Sequence, residues 1–341
     1  MQVLHVKDFV DAVQAAGLPL DFVSTHLYPT DPQCPGGKHA SGLGNGDVDC
    51  FTRLIHGARD YVRNHTDVEF LITEYNAGLG LKDGLDLDAP FAAAFAFRQI
   101  AAIQEVDAFS WWTFTDIFEE QWMKSQPFQN GFGLQTIHGV AKPAWRAFQL
   151  LKDAGEWRAF VAGACPETLN TFVSVLATLD AVEKASTLQL FISDWSPAGA
   201  TRYSCDAGAG ICKEDAQGSY TDRALCDAQC GSAWLGTTAA QQNILIKHGP
   251  EGLLGGGALT ATIARIDNTH ANAKALWEGM GRPGYLKKQQ VLDLKNASLL
   301  IEESVAVERV DDETSRVTVT LSPWSAVRVA IRSVYPQEYR V

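Results

Sequence analysis

The sequence predicts two halves of different fold class: an α/β half with a parallel sheet covered by helices, followed by an all-β half. Up to about residue 155, near-continuous apolar strand patterns alternate with helical patterns, which is typical of a parallel sheet. From about residue 160, apolar and polar residues alternate along the strands, which favours an antiparallel β-sandwich. The chain has 341 residues, of which 46% are hydrophobic, and this length suits two domains. We expect the domains to span residues 1–157 and 158–341.

The first half begins with a helix and then repeats a strand and a helix three times. The first helix carries an apolar face formed by Val6, Phe9, Val10, Val13 and Ala16. Strands are predicted at 20–29, 68–78 and 106–116, and helices at 48–64, 89–104 and 142–155. The last helix has Pro143 near its first turn and ends at Gly155.

The second half contains five strand patterns and one helix. The strand patterns lie at 171–179, 187–195, 242–249, 258–267 and 315–331, and the helix is predicted at 268–281. Residues 200–235 interrupt the strands as a Gly/Asp-rich insertion that contains Cys205, Cys212, Cys226 and Cys230. Because this stretch is too small for a core of its own, we expect two disulfides in it. Zinc is the competing interpretation, but the Cys-x-x-Cys spacing typical of structural zinc sites is absent.

Composition and charge exclude several classes of partner. The net charge is −12, from 40 acidic and 28 basic residues. The sequence has no basic cluster of the kind that binds nucleic acid. No apolar stretch approaches the roughly 20 residues of a membrane helix, and no pattern indicates a cofactor or a metal. The cysteines and the glycosylation sequons at Asn64 and Asn296 favour the secretory pathway, with a secreted or lysosomal protein, although the first residues lack the apolar centre of a signal peptide.

Polar side chains follow each predicted strand of the first half, where parallel α/β proteins bind ligands. Strict alternation predicts two faces that each carry buried apolar residues and end in polar ones: Phe22, Ser24, His26 and Tyr28 in the first strand, and Phe70, Ile72, Glu74 and Asn76 in the second. The third strand adds Trp111, Trp112 and Phe114, and its loop adds Asp116, Glu119, Glu120 and Trp122. Aromatic rings mixed with carboxylates suit a sugar.

Each of these residues also has a purely structural interpretation. Glu74 alone can be a solvated strand end, His26 a structural histidine, and Trp111 and Trp112 packing residues. The convergence of polar groups at three consecutive strand ends favours a site.

Four motifs of the first half resemble glycoside hydrolase family 39, the β-xylosidases and α-L-iduronidases. They are THLYP at 25–29, ITEYN at 72–76, SWWTFTDIFEE at 110–120 and GFGLQTIHGVAKPAWRAFQLL at 131–151. The last two favour the β-xylosidase branch. In the second half, residues 270–298 are similar to the sandwich domain of this family.

The resemblance implies a retaining glycosidase on a (β/α)8 TIM barrel, of which the chain would contain about strands 6–8. Glu74 matches the nucleophile, and His26 and Tyr28 match the pair that orients the nucleophile and the sugar. Trp112 matches a ring beside the sugar. Glu119 and Glu120 match the acidic pair that holds sugar hydroxyls, and we count Asn76 among the substrate-binding candidates.

One required group is missing from the pattern. A retaining glycosidase needs a second carboxyl about 5 to 5.5 Å from the nucleophile, which the family supplies from an Asn-Glu pair, and the chain contains no Asn-Glu dipeptide. We therefore expect an N-terminally truncated enzyme that acts on a glycoside or oligosaccharide only when completed. The alternatives are an α-L-iduronidase-like enzyme and a non-catalytic carbohydrate-binding or interaction fragment.

Overall fold

The computed structural model describes residues 2–29, 50–78, 86–103, 105–117, 123–161, 173–182, 185–195, 203–206, 211–214, 241–247 and 258–334. Its helices are α1 (Gln2–Ala15), α2 (Cys50–His65), α3 (Pro90–Ala102), α4 (Pro143–Leu151), α5 (Ala273–Gly279) and α6 (Lys288–Ala297). Its strands are β1 (Phe22–His26), β2 (Glu69–Tyr75), β3 (Ala108–Trp111), β4 (Trp157–Ala159), β5 (Val173–Val182), β6 (Ala185–Asp194), β7 (Tyr203–Asp206), β8 (Ile211–Glu214), β9 (Gln241–Lys247), β10 (Ala258–Ile266), β11 (Glu302–Val305), β12 (Val307–Arg309), β13 (Thr314–Thr320) and β14 (Ser325–Val334).

The first half contains a parallel sheet of order β1-β2-β3, as its alternating pattern predicts. Val23, Phe70 and Ile72 are fully buried in a core that they share with the helices. The opposite face is open within the described part of the chain, where Phe22 is 53% exposed and Ser24 is exposed as well. Among the described residues, one face of this sheet is covered by helices and the other carries exposed side chains, so the prediction that Phe22 lies on a buried face was wrong.

Helix α1 is confirmed, but its buried face is narrower than its apolar pattern. Val6 and Val10 are buried in the same core as α2, whereas Phe9 is 50% exposed. The periodicity located the helix correctly and overestimated the surface that it buries.

Helix α3 is buried on nearly every side because it lies between two sheets. Phe95 packs against Phe51 of α2, and Phe97 packs edge-on against Phe191 of β6. Phe91 stacks on Trp195, which directly follows β6. A helix that is apolar on most of its circumference is expected in such a position, and here even Arg98 and Gln99 are buried.

The second half is a β-sandwich. A six-stranded sheet of order β11-β10-β14-β6-β5-β4 packs against a three-stranded sheet of order β12-β13-β9. Their shared core is aliphatic and includes Ile192, Ile263, Val317, Val319 and Val329. The alternation of apolar and polar residues predicted this arrangement, because each strand has one face in the core.

Some elements of the second half were not predicted. The pattern suggested one helix at 268–281, whereas the structure has the shorter helix α5 and a second helix, α6. Strands β7 and β8 form a hairpin within the cysteine-rich stretch, and their register places Cys205 opposite Cys212. The disulfides predicted there concern side chains that lie outside the described part of the structure.

No helix in the described ranges has both the length and the apolar character needed to cross a membrane.

Candidate active site

A register shift between β1 and β2 places Glu74 beside His26. Thr25 pairs with Ile72, but the next residue, His26, pairs with Glu74, so Thr73 is an extra residue on β2. Such a bulge reverses the alternation of side chains beyond it. Strict alternation predicted Glu74 on the buried face of Phe70 and Ile72, and this was wrong. After Ile72, the next residue on the helix-covered side is Tyr75 rather than Glu74. Tyr75 is fully buried, whereas Glu74 is partly exposed.

Both oxygens of the Glu74 carboxylate have a polar neighbour. The Tyr28 hydroxyl donates a hydrogen bond to Oε1, and His26 Nδ1 lies 3.2 Å from Oε2. The Tyr28 side chain is itself buried, so its hydroxyl is fixed by packing. The Glu74 side chain remains 17% exposed. The carboxylate is therefore held in one orientation and still reachable from solvent.

Trp112 follows β3 directly and lies next to the end of β2. Its backbone N–H donates to the carbonyl of Tyr75 at 2.8 Å, so Trp112 is adjacent to the residue that follows Glu74. Its side chain is half-buried at the edge of the core. The Trp112–Thr113 peptide bond is cis.

Asn76 is buried and has a structural role. Its side chain is 1% exposed. The amide nitrogen donates to the carbonyls of Trp112 at 2.5 Å and Phe132 at 3.2 Å, and the amide oxygen accepts from the Ala77 N–H at 2.6 Å. These contacts tie the end of β2 to the segment after β3. The substrate-binding role expected of Asn76 stays a prediction.

A buried ion cluster lies behind that segment, formed by Lys142, Asp88 and Asp116. Lys142 is fully buried, and its Nζ lies 2.6 Å from Asp88 Oδ1 and 2.7 Å from Asp116 Oδ2. Burial by itself would lower the pKa of Lys142, but the charges of the two carboxylates outweigh it and raise the pKa. Burial raises the pKa of Asp116, against the opposing effect of Lys142.

Sequence reasoning missed this cluster, although the chain contains a signal for it. A Cβ on Gly131 would lie 2.2 Å from Asp116 Oδ1, and one on Gly133 would lie 2.3 Å from the Asp116 nitrogen. The two glycines of the GFG motif are therefore required by close approach to Asp116. Two glycines flanking an aromatic residue are the signal for such a close backbone contact, although the sequence alone does not identify its partner.

Two of the predicted site residues cannot be placed. Glu119 and Glu120 lie outside the described ranges, between Ile117 and Met123. Within those ranges, no group of three or more His, Cys, Asp or Glu side chains could hold a metal ion.

Comparison with known proteins identifies relatives for most of the chain. The sequence profile of the family described as Glycosyl hydrolases family 39 matches residues 3–194. A beta-xylosidase from Caldicellulosiruptor saccharolyticus is 26% identical over 337 residues, which cover 96% of this chain and 57% of that protein. A beta-xylosidase from Geobacillus stearothermophilus is 28% identical over 181 residues, covering 51% of this chain and 35% of that protein. The chain thus spans 57% of the length of the first of these curated relatives and 35% of the second.

Solved structures share the fold. A monomeric beta-xylosidase from Caulobacter crescentus CB15 matches with a TM-score of 0.61 and 18% identity, over 97% of this chain and 59% of that chain. A GH39 enzyme from Xanthomonas axonopodis pv. citri matches with a TM-score of 0.62 and 18% identity, over 96% of this chain and 58% of that chain. Because the family profile covers more than half of the sequence, this chain belongs to glycosyl hydrolases family 39.

Proposed function

We propose that the chain carries the nucleophile of a retaining glycosidase that acts on β-xylosides, and that Glu74 is this nucleophile. The observation that supports the proposal most is the geometry of the Glu74 carboxylate, which Tyr28 and His26 hold at its two oxygens while it stays partly exposed. Attack on an anomeric carbon requires a carboxylate fixed in this way, at an edge of the sheet that substrate can reach.

The other predicted residues take supporting roles in this proposal. Tyr28 and His26 orient the nucleophile, since each contacts one of its oxygens. Trp112 offers an aromatic face for a sugar ring, because it is half-buried next to the end of β2. Glu119 and Glu120 would hold sugar hydroxyls, as the family resemblance implies.

The proposed sugar is neutral, in keeping with the two curated relatives described as beta-xylosidases. An iduronide carries a carboxylate and would need a cation beside it. Lys124 is the nearest Lys or Arg in sequence to the strand-end motifs, and its charge acts on Asp88 and Asp116. The described contacts of Glu74 come from a histidine and a tyrosine.

Turnover requires a second carboxyl, which we propose is not supplied by the described residues of this chain. The general acid of a retaining glycosidase lies about 5 to 5.5 Å from the nucleophile. Glu105 precedes β3. Two residues later, the Asp107 N–H donates a hydrogen bond to the carbonyl of Phe70, near the amino end of β2. That point is four residues before Glu74, or about 13 Å along a strand. Glu105 is therefore too distant to serve.

The test uses a reagent that reacts without a general acid. In 2,4-dinitrophenyl 2-deoxy-2-fluoro-β-xyloside, attack by a Glu74 oxygen forms the bond to C1 and expels dinitrophenolate, which needs no proton. We expect one covalent adduct, located on Glu74 by peptide mass spectrometry. Glu74→Gln should abolish it. Glu69→Gln, on the same strand at its amino end, should react like the parent.

The same experiment separates the alternatives. Labelling at another carboxylate would refute the assignment of the nucleophile. Labelling by an iduronide reagent but not by the xyloside would favour the iduronidase alternative. Binding of xylo-oligosaccharides without any adduct would favour a non-catalytic role. Rapid hydrolysis of an ordinary aryl β-xyloside by the 341-residue chain would refute the proposal that it lacks a general acid.

A further inference from the structure

Residues 112–117, called here the post-β3 segment, are anchored near both ends by buried polar side chains. At the first end, Asn76 donates to the carbonyl of Trp112 at 2.5 Å. At the second end, the Asp116 carboxylate accepts from Lys142 Nζ at 2.9 Å and from the Gly133 N–H at 2.8 Å. The segment therefore has little freedom to shift along its own direction.

Backbone hydrogen bonds join the two ends. The Thr113 N–H donates to Phe132 at 3.0 Å, and the Leu134 N–H donates back to Thr113 at 2.8 Å. Further along, the Asp116 N–H donates to Gln135 at 2.8 Å. These bonds, with the isolated bridge between Thr115 and Gln135, connect the post-β3 segment to residues 132–135 between its two anchored ends.

Lys142 holds the second end through charge. Its ammonium lies between Asp116 and Asp88, and it also donates to the Gly131 carbonyl at 3.0 Å. The charge of Lys124 acts on the same two carboxylates from a less buried position. Without the Lys142 ammonium, the two buried carboxylates would repel each other across the space that it fills.

We propose that Lys142 is a positioning residue for the sugar site: by holding Asp116 in place, it fixes the post-β3 segment in the position that sets Trp112 beside the nucleophile strand. The inference rests on the proposed function for its catalytic meaning, but its structural content can be tested without any sugar. Its alternative is that Lys142 contributes to the general stability of the fold and leaves Trp112 unaffected.

The experiment is ¹⁹F NMR of the chain labelled with 5-fluorotryptophan, with the Trp112 resonance assigned from a Trp112→Phe variant. In Lys142→Met we expect the Trp112 resonance to shift or split, while the resonances of Trp195 and of Trp157 in β4 stay in place. Lys274→Met is the matched control, because it removes a less buried lysine that pairs with Asp86. It should leave Trp112 unchanged. An unchanged Trp112 resonance in folded Lys142→Met, or an equal shift of all three resonances, would overturn the proposal.

A second variant keeps the test decisive if Lys142→Met does not fold. Asp116→Asn retains an oxygen for the Gly133 N–H and leaves Lys142 paired with Asp88, and it should also shift Trp112. A Trp112 resonance at its parent position in this variant would equally contradict the proposal.

The catalytic meaning is tested with the fluoro-xyloside reagent. We expect Lys142→Met to raise the reagent concentration for half-maximal labelling by about tenfold or more, as a misplaced substrate contact does, with a smaller effect on the maximal rate. Unchanged labelling with a shifted Trp112 would refute the catalytic meaning. If the parent chain does not label at all, the proposed function fails, and the NMR result still decides whether Lys142 positions Trp112.

Discussion

Gly133→Ala is expected to destabilise the fold strongly, because the new methyl group meets backbone. The Cβ would lie 2.3 Å from both the Asp116 nitrogen and the Thr115 carbonyl carbon, and 2.7 Å from Asp116 Oδ1. Ordinary contact begins near 3.4 Å, so the two segments would have to separate by about 1 Å. They are joined by hydrogen bonds of 2.8 Å, from Gly133 to the Asp116 carboxylate and from the Asp116 N–H to Gln135.

The magnitude follows from two contributions. Overpacking costs about 1–3 kcal/mol, and a weakened hydrogen bond to a buried carboxylate adds about 1.5–3 kcal/mol. We expect Gly133→Ala to lower the free energy of unfolding by about 3–5 kcal/mol, measured by urea denaturation.

Gly57→Ala is the matched control for this prediction. Gly57 is exposed in α2, and a Cβ there meets nothing within 4 Å. Alanine at this position should stabilise the protein by about 0.5–1 kcal/mol. A Gly133→Ala variant whose stability stays within about 1 kcal/mol of the parent would refute the argument from close approach.

Two further predictions concern single contacts. Tyr28→Phe removes the hydroxyl that holds Glu74 Oε1 and should slow labelling of Glu74 by about 10- to 100-fold. The control is Tyr61→Phe, which removes a hydroxyl that contacts Asp11 and should label at the parent rate. Equal labelling rates in the two variants would contradict the role of Tyr28. Burial alone would raise the pKa of Asp267, but hydrogen bonds from Thr269 and His270 outweigh it and lower the pKa below the usual 3.8. The stability that Asp267 contributes is therefore present above pH 3.8 and is lost as the pH falls through its folded-state pKa. Asp267→Asn should lower the free energy of unfolding by about 1–2 kcal/mol at pH 7 and by progressively less in acid; a difference that does not change with pH would contradict this.

The sequence predicted the order of elements in the first half well, because each pattern reports a local property. The apolar runs located β1, β2 and β3, and the stretch rich in Ala and Phe located α3. Side-chain direction beyond the bulge was not predictable, since one extra residue in β2 depends on pairing with β1 rather than on local composition.

The candidate site was predicted in part. His26, Tyr28 and Glu74 come together as the motifs indicated. The buried contacts of Asn76 were not predicted, because an asparagine at a strand end looks the same in sequence whether its amide faces solvent or two backbone carbonyls, and its substrate-binding role stays a prediction. Lys142 was missed for a related reason: a lysine before a proline gives no sign that it will be fully buried. The cellular compartment and the disulfides of residues 200–235 stay predictions.

The position of α3 has a consequence for how this protein can be recombined. Its aromatic residues serve two neighbours at once, with Phe95 turned to α2 and Phe97 to β6. In a chimera that joins this first half to the sandwich of a relative near residue 157, the α3 side chains would therefore not match the residues of the new sandwich that they contact. To exchange the two parts between homologues, the α3 residues that contact the sandwich, such as Phe97, must be taken from the same protein as the sandwich.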